Sequence, residues 1–174
     1  MGEAVHHFFW SGPFSQWSAC VFELRGYRYG TAEQAMMHGK ALIFGDDETA
    51  QAIMQTDEPG RQKALGRQVR GFDQAIWDQR KYALVSEISL AKFGQNKGLR
   101  RKLFQTVGAA LVEASPKDSI WGIGLDAKTA AVTPEHEWPG QNLLGQALTE
   151  VREILAQQYP AEAEACAPNR RIET

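Results

Sequence analysis

Thr31-Ala-Glu-Gln-Ala-Met-Met-His-Gly-Lys-Ala-Leu-Ile-Phe-Gly45 is the stretch on which the reading of this chain turns. Thr31 and Gln34 stand at capping-box spacing, Thr31 at the N-cap and Gln34 three residues on. The pattern predicts a helix from there to about Phe44, ended by Gly45. Place Glu33 at zero on a wheel of ~100° per residue; Met37 then falls near ~40°, Phe44 near ~20°, Lys40 near ~340°, and Met36 and Ile43 near ~280–300°. Gln34 and His38, at ~100–140°, are expected to face solvent. Glu33 and Lys40 therefore lie inside the apolar arc, two turns apart on one side. An unpaired buried charge costs several kcal/mol. Two readings follow. Either both side chains sit at the edge of the arc and snorkel to water, or the helix is a pocket wall carrying an acid and an amine. Their rise separation of ~10.5 Å makes a direct pair awkward and leaves room for a substrate.

On the N-terminal side of this helix, His6–Trp10 reads as a short strand, followed by a Gly-Pro turn and the loop Phe14-Ser-Gln-Trp-Ser18. Val21–Leu24 and Tyr27–Tyr29 read as a hairpin across Arg25-Gly26. On the C-terminal side, Asp46–Thr56 and Pro59–Val69 read as short helices, and Asp73–Phe93 is the longest periodic stretch. Leu99–Thr106 is a further helix and Ala110–Glu113 a strand. Lys128–Gln141 is expected to be a loop, and Asn142 to start a last helix reaching Gln158. The fold class is α+β: a mainly helical single domain with a few short strands. Residues 1–159 form that domain and 160–174 a flexible C-terminal tail.

The 174 residues suit one domain, and 43% apolar with 23% charged residues is the balance of a water-soluble globular chain. No apolar run approaches the ~18 residues that span a bilayer. The start, MGEAVHHFFWSG, lacks the basic and apolar regions of a secretory signal, and Gly2 is not followed by a myristoylation pattern. Cys20 and Cys166 are too far apart in the chain to suggest a disulfide framework, so a cytoplasmic location is expected. The four histidines and two cysteines match no zinc spacing, and no metal or cofactor is expected. A net charge of −2 argues against a strongly electrostatic nucleic-acid binder. An enzyme that visits a nucleic acid at one basic patch remains open.

Between strand and last helix lies Ala114-Ser-Pro-Lys-Asp-Ser-Ile-Trp-Gly-Ile-Gly124. It has too many breakers for a helix and too little alternation for a strand. Asp118 and Trp121 are three residues apart, so one turn can present an acid and a stacking surface together. The alternative for Trp121 is core packing.

Taken in order, Phe9-Trp10, Phe14-Ser-Gln-Trp17, Tyr29-Gly-Thr-Ala-Glu33 through Lys40, Ala64-Leu-Gly-Arg67, Ala114 through Gly122 and Asn142-Leu-Leu-Gly145 resemble the NADAR family, also called YbiA-like. The likeness spans about residues 8 to 155. The chain departs from the family pattern in having Gln16-Trp17 for Asn-Phe, Ala-Glu-Gln for Ser-Glu-His, and an insertion at Thr133–Gly140.

The resemblance implies an enzyme that hydrolyses N-glycosidic bonds. Its substrate is guanine carrying ADP-ribose on the exocyclic amine, in DNA or RNA. The alternatives are phosphoribosyl-amino-pyrimidine intermediates of riboflavin synthesis, or an ADP-ribose or NAD binding module without catalysis. It also implies association with an ADP-ribosyltransferase; the sequence carries no signal of oligomeric state.

Glu33, Lys40 and Asp118 are the expected catalytic set. Cleavage needs a proton for the leaving nitrogen and a negative charge to stabilise the anomeric carbon, tasks that two carboxyl groups can divide. A neutral Lys40 can instead form a Schiff base at C1 of an opened ribose; the alternative is an electrostatic helper. Trp121 is expected to stack on the base, and Gly122 and Gly124 to let backbone approach the ligand. Phe9, Trp10, Phe14, Ser15 and Trp17 are expected to form a second wall, with core packing the alternative for each aromatic residue. Asn142 caps its helix or holds a ribose hydroxyl. Arg67, ahead of Arg70, is expected to bind phosphate, and the run Lys97, Arg100, Arg101 and Lys102 is either solvated surface or a nucleic-acid contact.

Overall fold

The computed structural model describes residues 5–168. Residues 1–4, which hold Gly2, and 169–174, the end of the expected tail, lie outside the described residues. The elements in order are strands β1 (His6–Phe9), β2 (Phe22–Leu24) and β3 (Tyr27–Tyr29), then helices α1 (Ala32–Ile43), α2 (Asp47–Met54), α3 (Pro59–Gly66), α4 (Gln74–Gln95) and α5 (Lys97–Phe104). Strand β4 (Ala110–Glu113), α6 (Ala127–Ala130), a 3₁₀ turn (Glu135–Glu137), α7 (Leu143–Gln158) and α8 (Pro160–Cys166) complete the chain. The α+β class holds. Two compact units divide it: Ser15–Gln95, and the segments ending at Phe14 and starting at Asn96.

In the unit Ser15–Gln95, β2 and β3 pair antiparallel with Phe22 opposite Tyr29. The turn between them needs left-handed backbone at Arg25 and Gly26. Helix α1 packs against α2, α3 and α4. Its N-cap is Thr31, whose Oγ1 accepts from the Gln34 amide at 3.0 Å.

The solvent face expected at Gln34 and His38 is buried instead, each 3% exposed. Gln34 Nε2 donates to the carbonyls of Ile53 and Thr56, both at 3.2 Å, and its Oε1 accepts from the Gly30 amide at 2.9 Å. His38 Nδ1 lies 2.8 Å from the Tyr29 hydroxyl. Burial lowers the His38 pKa and pushes the Tyr29 hydroxyl up to about 12. Polar side chains here saturate backbone carbonyls left open at the end of α2. A wheel that scores apolarity alone cannot register that demand. Along α4 the buried positions Trp77, Lys81, Val85, Ile88 and Lys92 follow a spacing of three to four.

In the other unit β1 and β4 run parallel, His6 beside Ala110 and Phe9 beside Glu113. Helix α7 packs on β4, and α5 on α7 and α8. The expected loop Lys128–Gln141 contains part of α6, capped by Asp126, and the 3₁₀ turn. Residues 160–166, expected to be flexible tail, form α8. Pro160 suits its first turn, and Glu162 pairs with Arg100 at 2.9 Å. Among the described residues no helix is long and apolar enough to cross a membrane. Cys20 and Cys166 are both free.

Candidate active site

Glu33 occupies the first turn of α1 and is 3% exposed. Its amide donates to the Gln16 carbonyl at 2.9 Å, which ties the segment Ser15–Trp17 to the start of the helix. Ser15 Oγ accepts from the Trp17 amide at 3.2 Å. The Ser15 carbonyl accepts from Lys92 Nζ at 2.9 Å. Lys92 is 2% exposed, and burial lowers its amine to about 8. Sequence reasoning missed Lys92 as a site residue. The signal was there: an amine at a buried-face position of α4, the same anomaly that singled out Lys40.

Lys40 Nζ donates to the Gly66 carbonyl at 2.8 Å and lies 4.3 Å from the centre of the Phe72 ring and 5.5 Å from that of Trp77. Burial, then the positive charge of Arg67, lowers its pKa from the ordinary lysine value. Gly66 is pressed against Met37, since a Cβ there would overlap the Met37 thioether. The Lys40 amine is thus held between the end of α3 and the Phe72 ring, which itself packs on Phe44 at 5.3 Å. Gly66 ends α3, which is why the Gly-Arg pair recurs in the reading of the site: glycine permits the approach and Arg67 follows it. Arg70 is taken up elsewhere. Its guanidinium bonds Asp46 at 2.7 Å and Glu48 at 2.9 Å, and holds the Asp46 carboxyl well below the usual carboxylate range. Trp17 is half exposed, with Lys63 Nζ 6.0 Å from its ring centre.

In the other unit, the loop after β4 is closed by Asp118. Its Oδ1 accepts from the amides of Ile120 at 2.9 Å and Trp121 at 2.8 Å, and its carbonyl from Gly124 at 3.0 Å. Gly122 is buried because a Cβ would lie 2.8 Å from the Glu113 carbonyl oxygen and 2.9 Å from that of Asp118. Gly124 has φ +73°, and a Cβ would meet Pro139 at 3.0 Å. At both glycines the space a Cβ would need is taken by the chain's own backbone or by Pro139. The inserted segment Thr133–Gly140 lies along this loop, with Trp138 packed on Val112, Ala114, Ile123 and Ala130. Trp121 is half-buried.

Asn142 is the N-cap residue of α7, but its side chain makes no capping bond and is turned to β4 instead. Its Oδ1 accepts from the Glu113 amide at 2.9 Å, and its Nδ2 donates to the Leu111 carbonyl at 3.0 Å. The side chain fills the edge of β4 that β1 does not cover, pairing as a strand would. Gly145 lets α7 come this close, because a Cβ there would overlap the Leu111 oxygen. Phe9 and Phe14 are buried and pack edge to face at 5.6 Å, whereas Trp10 is 58% exposed. The basic run is not one surface: Arg100 is buried between Glu162 and the Tyr159 ring, 3.8 Å away, while Lys97, Arg101 and Lys102 are exposed. Among the described residues no group of three or more His, Cys, Asp or Glu could hold a metal ion.

The family model for the NADAR domain matches residues 8–156. The chain belongs to the NADAR family. It is 46% identical over 145 residues to N-glycosidase R617 of Acanthamoeba polyphaga mimivirus, covering 80% of this chain and 85% of that protein. It is 30% identical over 145 residues to N-glycosidase YbiA of Escherichia coli K12, covering 83% and 82%. The NMR structure of E. coli YbiA superposes with a TM-score of 0.74 at 27% identity, over 92% of this chain and 90% of that one. Riboflavin biosynthesis protein PYRR of Zea mays is 30% identical over 121 residues, 67% of this chain but 18% of that protein.

Within the NADAR domain the candidate residues fall into separate groups. In Ser15–Gln95, α1 brings Glu33 and Lys40 to one side, with the Gln16 carbonyl bonded to the amide of the first and Arg67 acting on the second. In the other unit Asp118, Trp121, Gly122 and Asn142 share one loop-and-strand cluster. Helix α8 lies beyond the matched residues.

Proposed function

We propose that this NADAR chain is a hydrolase of N-glycosidic bonds, and that its substrate is guanine carrying ADP-ribose on the exocyclic amine in a nucleic acid. The relatives named as N-glycosidases support the reaction class. The observation that carries the chemistry is the Lys40 amine, on the same side of α1 as the buried Glu33, partly desolvated, and pressed toward its neutral form by burial and by Arg67.

A neutral amine has the lone pair that an ammonium lacks. In the proposed reaction the ribose opens, and Lys40 Nζ attacks C1. The bond from C1 to the guanine nitrogen breaks, and that nitrogen leaves with a proton supplied by the Glu33 carboxyl. Water then adds to the C1=Nζ bond and expels Lys40, which returns as the free amine while the ribose regains its C1 oxygen. The proton that Glu33 gave is recovered from the attacking water. Asp118 is the third member of the proposed catalytic set, and removing its charge tests that role.

The test incubates the full chain with an oligonucleotide bearing ADP-ribose on guanine and, separately, with a phosphoribosyl-amino-pyrimidine, and measures released sugar by mass spectrometry. Release from the first supports the proposal. Release from the second alone transfers it to the pyrimidine substrate, and release from neither leaves an ADP-ribose or NAD binding module. Glu33→Gln is expected to lower kcat at least ~100-fold, within the range for losing a general acid. Borohydride added during turnover should fix a sugar adduct on Lys40, and turnover that yields no adduct there would overturn the covalent route.

A further inference from the structure

The segment after β1 borders a cavity of about 480 Å³, walled by β1, by Trp10 to Phe14 and by the C-terminal end of α5. That volume lies within the range of small-ligand sites. Phe9 and Phe14, buried and packed on each other, form an aromatic base to it. Trp10 stands apart from this pair with more than half of its surface open. A single exposed aromatic residue needs no explanation. An indole opening on a cavity, across from an exposed lysine and an exposed amide, presents a different chemistry.

Lys102 and Gln105 are those groups, one helical turn apart at the end of α5. Among the described residues lining the cavity there is no carboxylate, and Lys102 is the only lysine or arginine. Thr106 is turned away, its hydroxyl donating to the Leu103 carbonyl at 2.6 Å. His7, edge-on to Phe14 at 5.6 Å, has its pKa lowered by desolvation and then by the charge of Arg152, which favours its neutral form. The cavity thus offers a flat apolar surface, one point of positive charge and one neutral hydrogen-bonding side chain.

We propose that this cavity is a nucleoside-phosphate subsite, in which Trp10 stacks on a base, Lys102 pairs with its phosphate and Gln105 bonds the base edge or sugar. Stacking on an aromatic face is tolerant of base identity, and a lysine serves phosphate as a point charge. The same chemistry has two sources: the adenosine phosphate end of an ADP-ribosyl group, or a nucleotide flanking the modified base in a strand. The proposal rests on the reading of the substrate as nucleotide-bearing.

Binding to unmodified probes tests it without requiring cleavage. Adenosine monophosphate is titrated by calorimetry, and a fluorescein-labelled single-stranded oligonucleotide by anisotropy over a range of salt. Trp10→Ala is expected to weaken binding of at least one probe about tenfold or more, and Trp10→Phe to recover most of the loss. Lys102→Gln is expected to weaken the same probe and, for the strand, to reduce the slope of log K against log salt by about 0.7. An effect on the monophosphate assigns the subsite to the ADP end; an effect on the strand alone assigns it to a flanking nucleotide. Absence of binding by both probes, or equal affinity in all four proteins, overturns the proposal. Both residues are exposed, and circular dichroism confirms that the variants fold. Cleavage of the modified guanine by a chain whose affinities ignore Trp10 and Lys102 would sink the subsite and keep the proposed function; the subsite without cleavage would do the reverse.

Discussion

Replacing Lys92 with methionine tests how the buried amine of α4 is held. In the folded chain burial brings this amine to about 8, against an ordinary value of 10.5. Between those values the unfolded chain binds more protons than the folded one, so stability rises with pH across the window. Below the folded value both states are protonated, and the cost of burying the ammonium is at its full size. Integrated from about pH 7 to 10, the linkage amounts to roughly 2–3 kcal/mol in favour of the folded state. The side chain is 2% exposed, so solvent screening does not discount this figure. Lys92→Met lacks the titrating group but shares every other one. The stability difference, wild type minus variant, is therefore expected to move toward wild type by roughly 2–3 kcal/mol over that range. Loss of the bond to the Ser15 carbonyl adds the same amount at each pH where the amine can donate, and leaves the direction of the change intact. Urea unfolding followed by tryptophan fluorescence at several pH values measures the difference. A difference that is flat with pH, or that moves toward the variant, refutes the reasoning.

Arg67→Ala removes the positive charge that helps to lower the Lys40 pKa, so the acidic limb of the kcat/KM profile is expected to shift to higher pH; an unmoved profile would mean that Lys40 does not act as a neutral amine. Asn142→Ala leaves the Glu113 amide and the Leu111 carbonyl without their partners, a loss of about 2–4 kcal/mol from two orphaned backbone groups, and unchanged thermal unfolding would contradict the strand-edge role. Asp118→Asn keeps an acceptor for the Ile120 and Trp121 amides while removing the charge. Its melting temperature is expected to hold while kcat falls at least ~10-fold; full activity would confine Asp118 to shaping its loop.

The regular elements were legible because each carries its own local signal. Thr31 and Gln34 announced the start of α1, Arg25-Gly26 the hairpin turn, and the long periodic run α4. Helix α8 was hidden by its Ala-Glu repetition, which resembles a solvated tail until Glu162 finds Arg100 sixty-two residues away. The two faces of α1 were misassigned because Gln34 and His38 are polar yet buried, each meeting a partner from another element. Glu33 and Lys40 were legible as charges on an apolar arc. What the spacing could not show is that the Gly66 carbonyl takes up the Lys40 amine, because a contact across twenty-six residues leaves no trace in a helical wheel.

The residues that carry the family likeness serve two different ends. Gly122, Gly145 and Asn142 are explained by the chain itself: larger residues at the glycines would strike backbone oxygens, and the asparagine completes the edge of β4. Their presence together reports the fold. Lys40 is held by the Gly66 carbonyl and two aromatic rings, yet packing at that position calls for no charge. Met36 and Met37 show that α1 packs well with apolar side chains, and buried charges can often be replaced by hydrophobic residues of similar volume without loss of stability. A helix needing only to pack has no use for an amine held against two aromatic rings with its pKa lowered, on the same side as a buried carboxyl. The arrangement carries an electrostatic cost that packing does not require, and such cost is concentrated where protein groups must change protonation during a reaction. That asymmetry, more than the number of matching positions, is the reason to place the chemistry on α1.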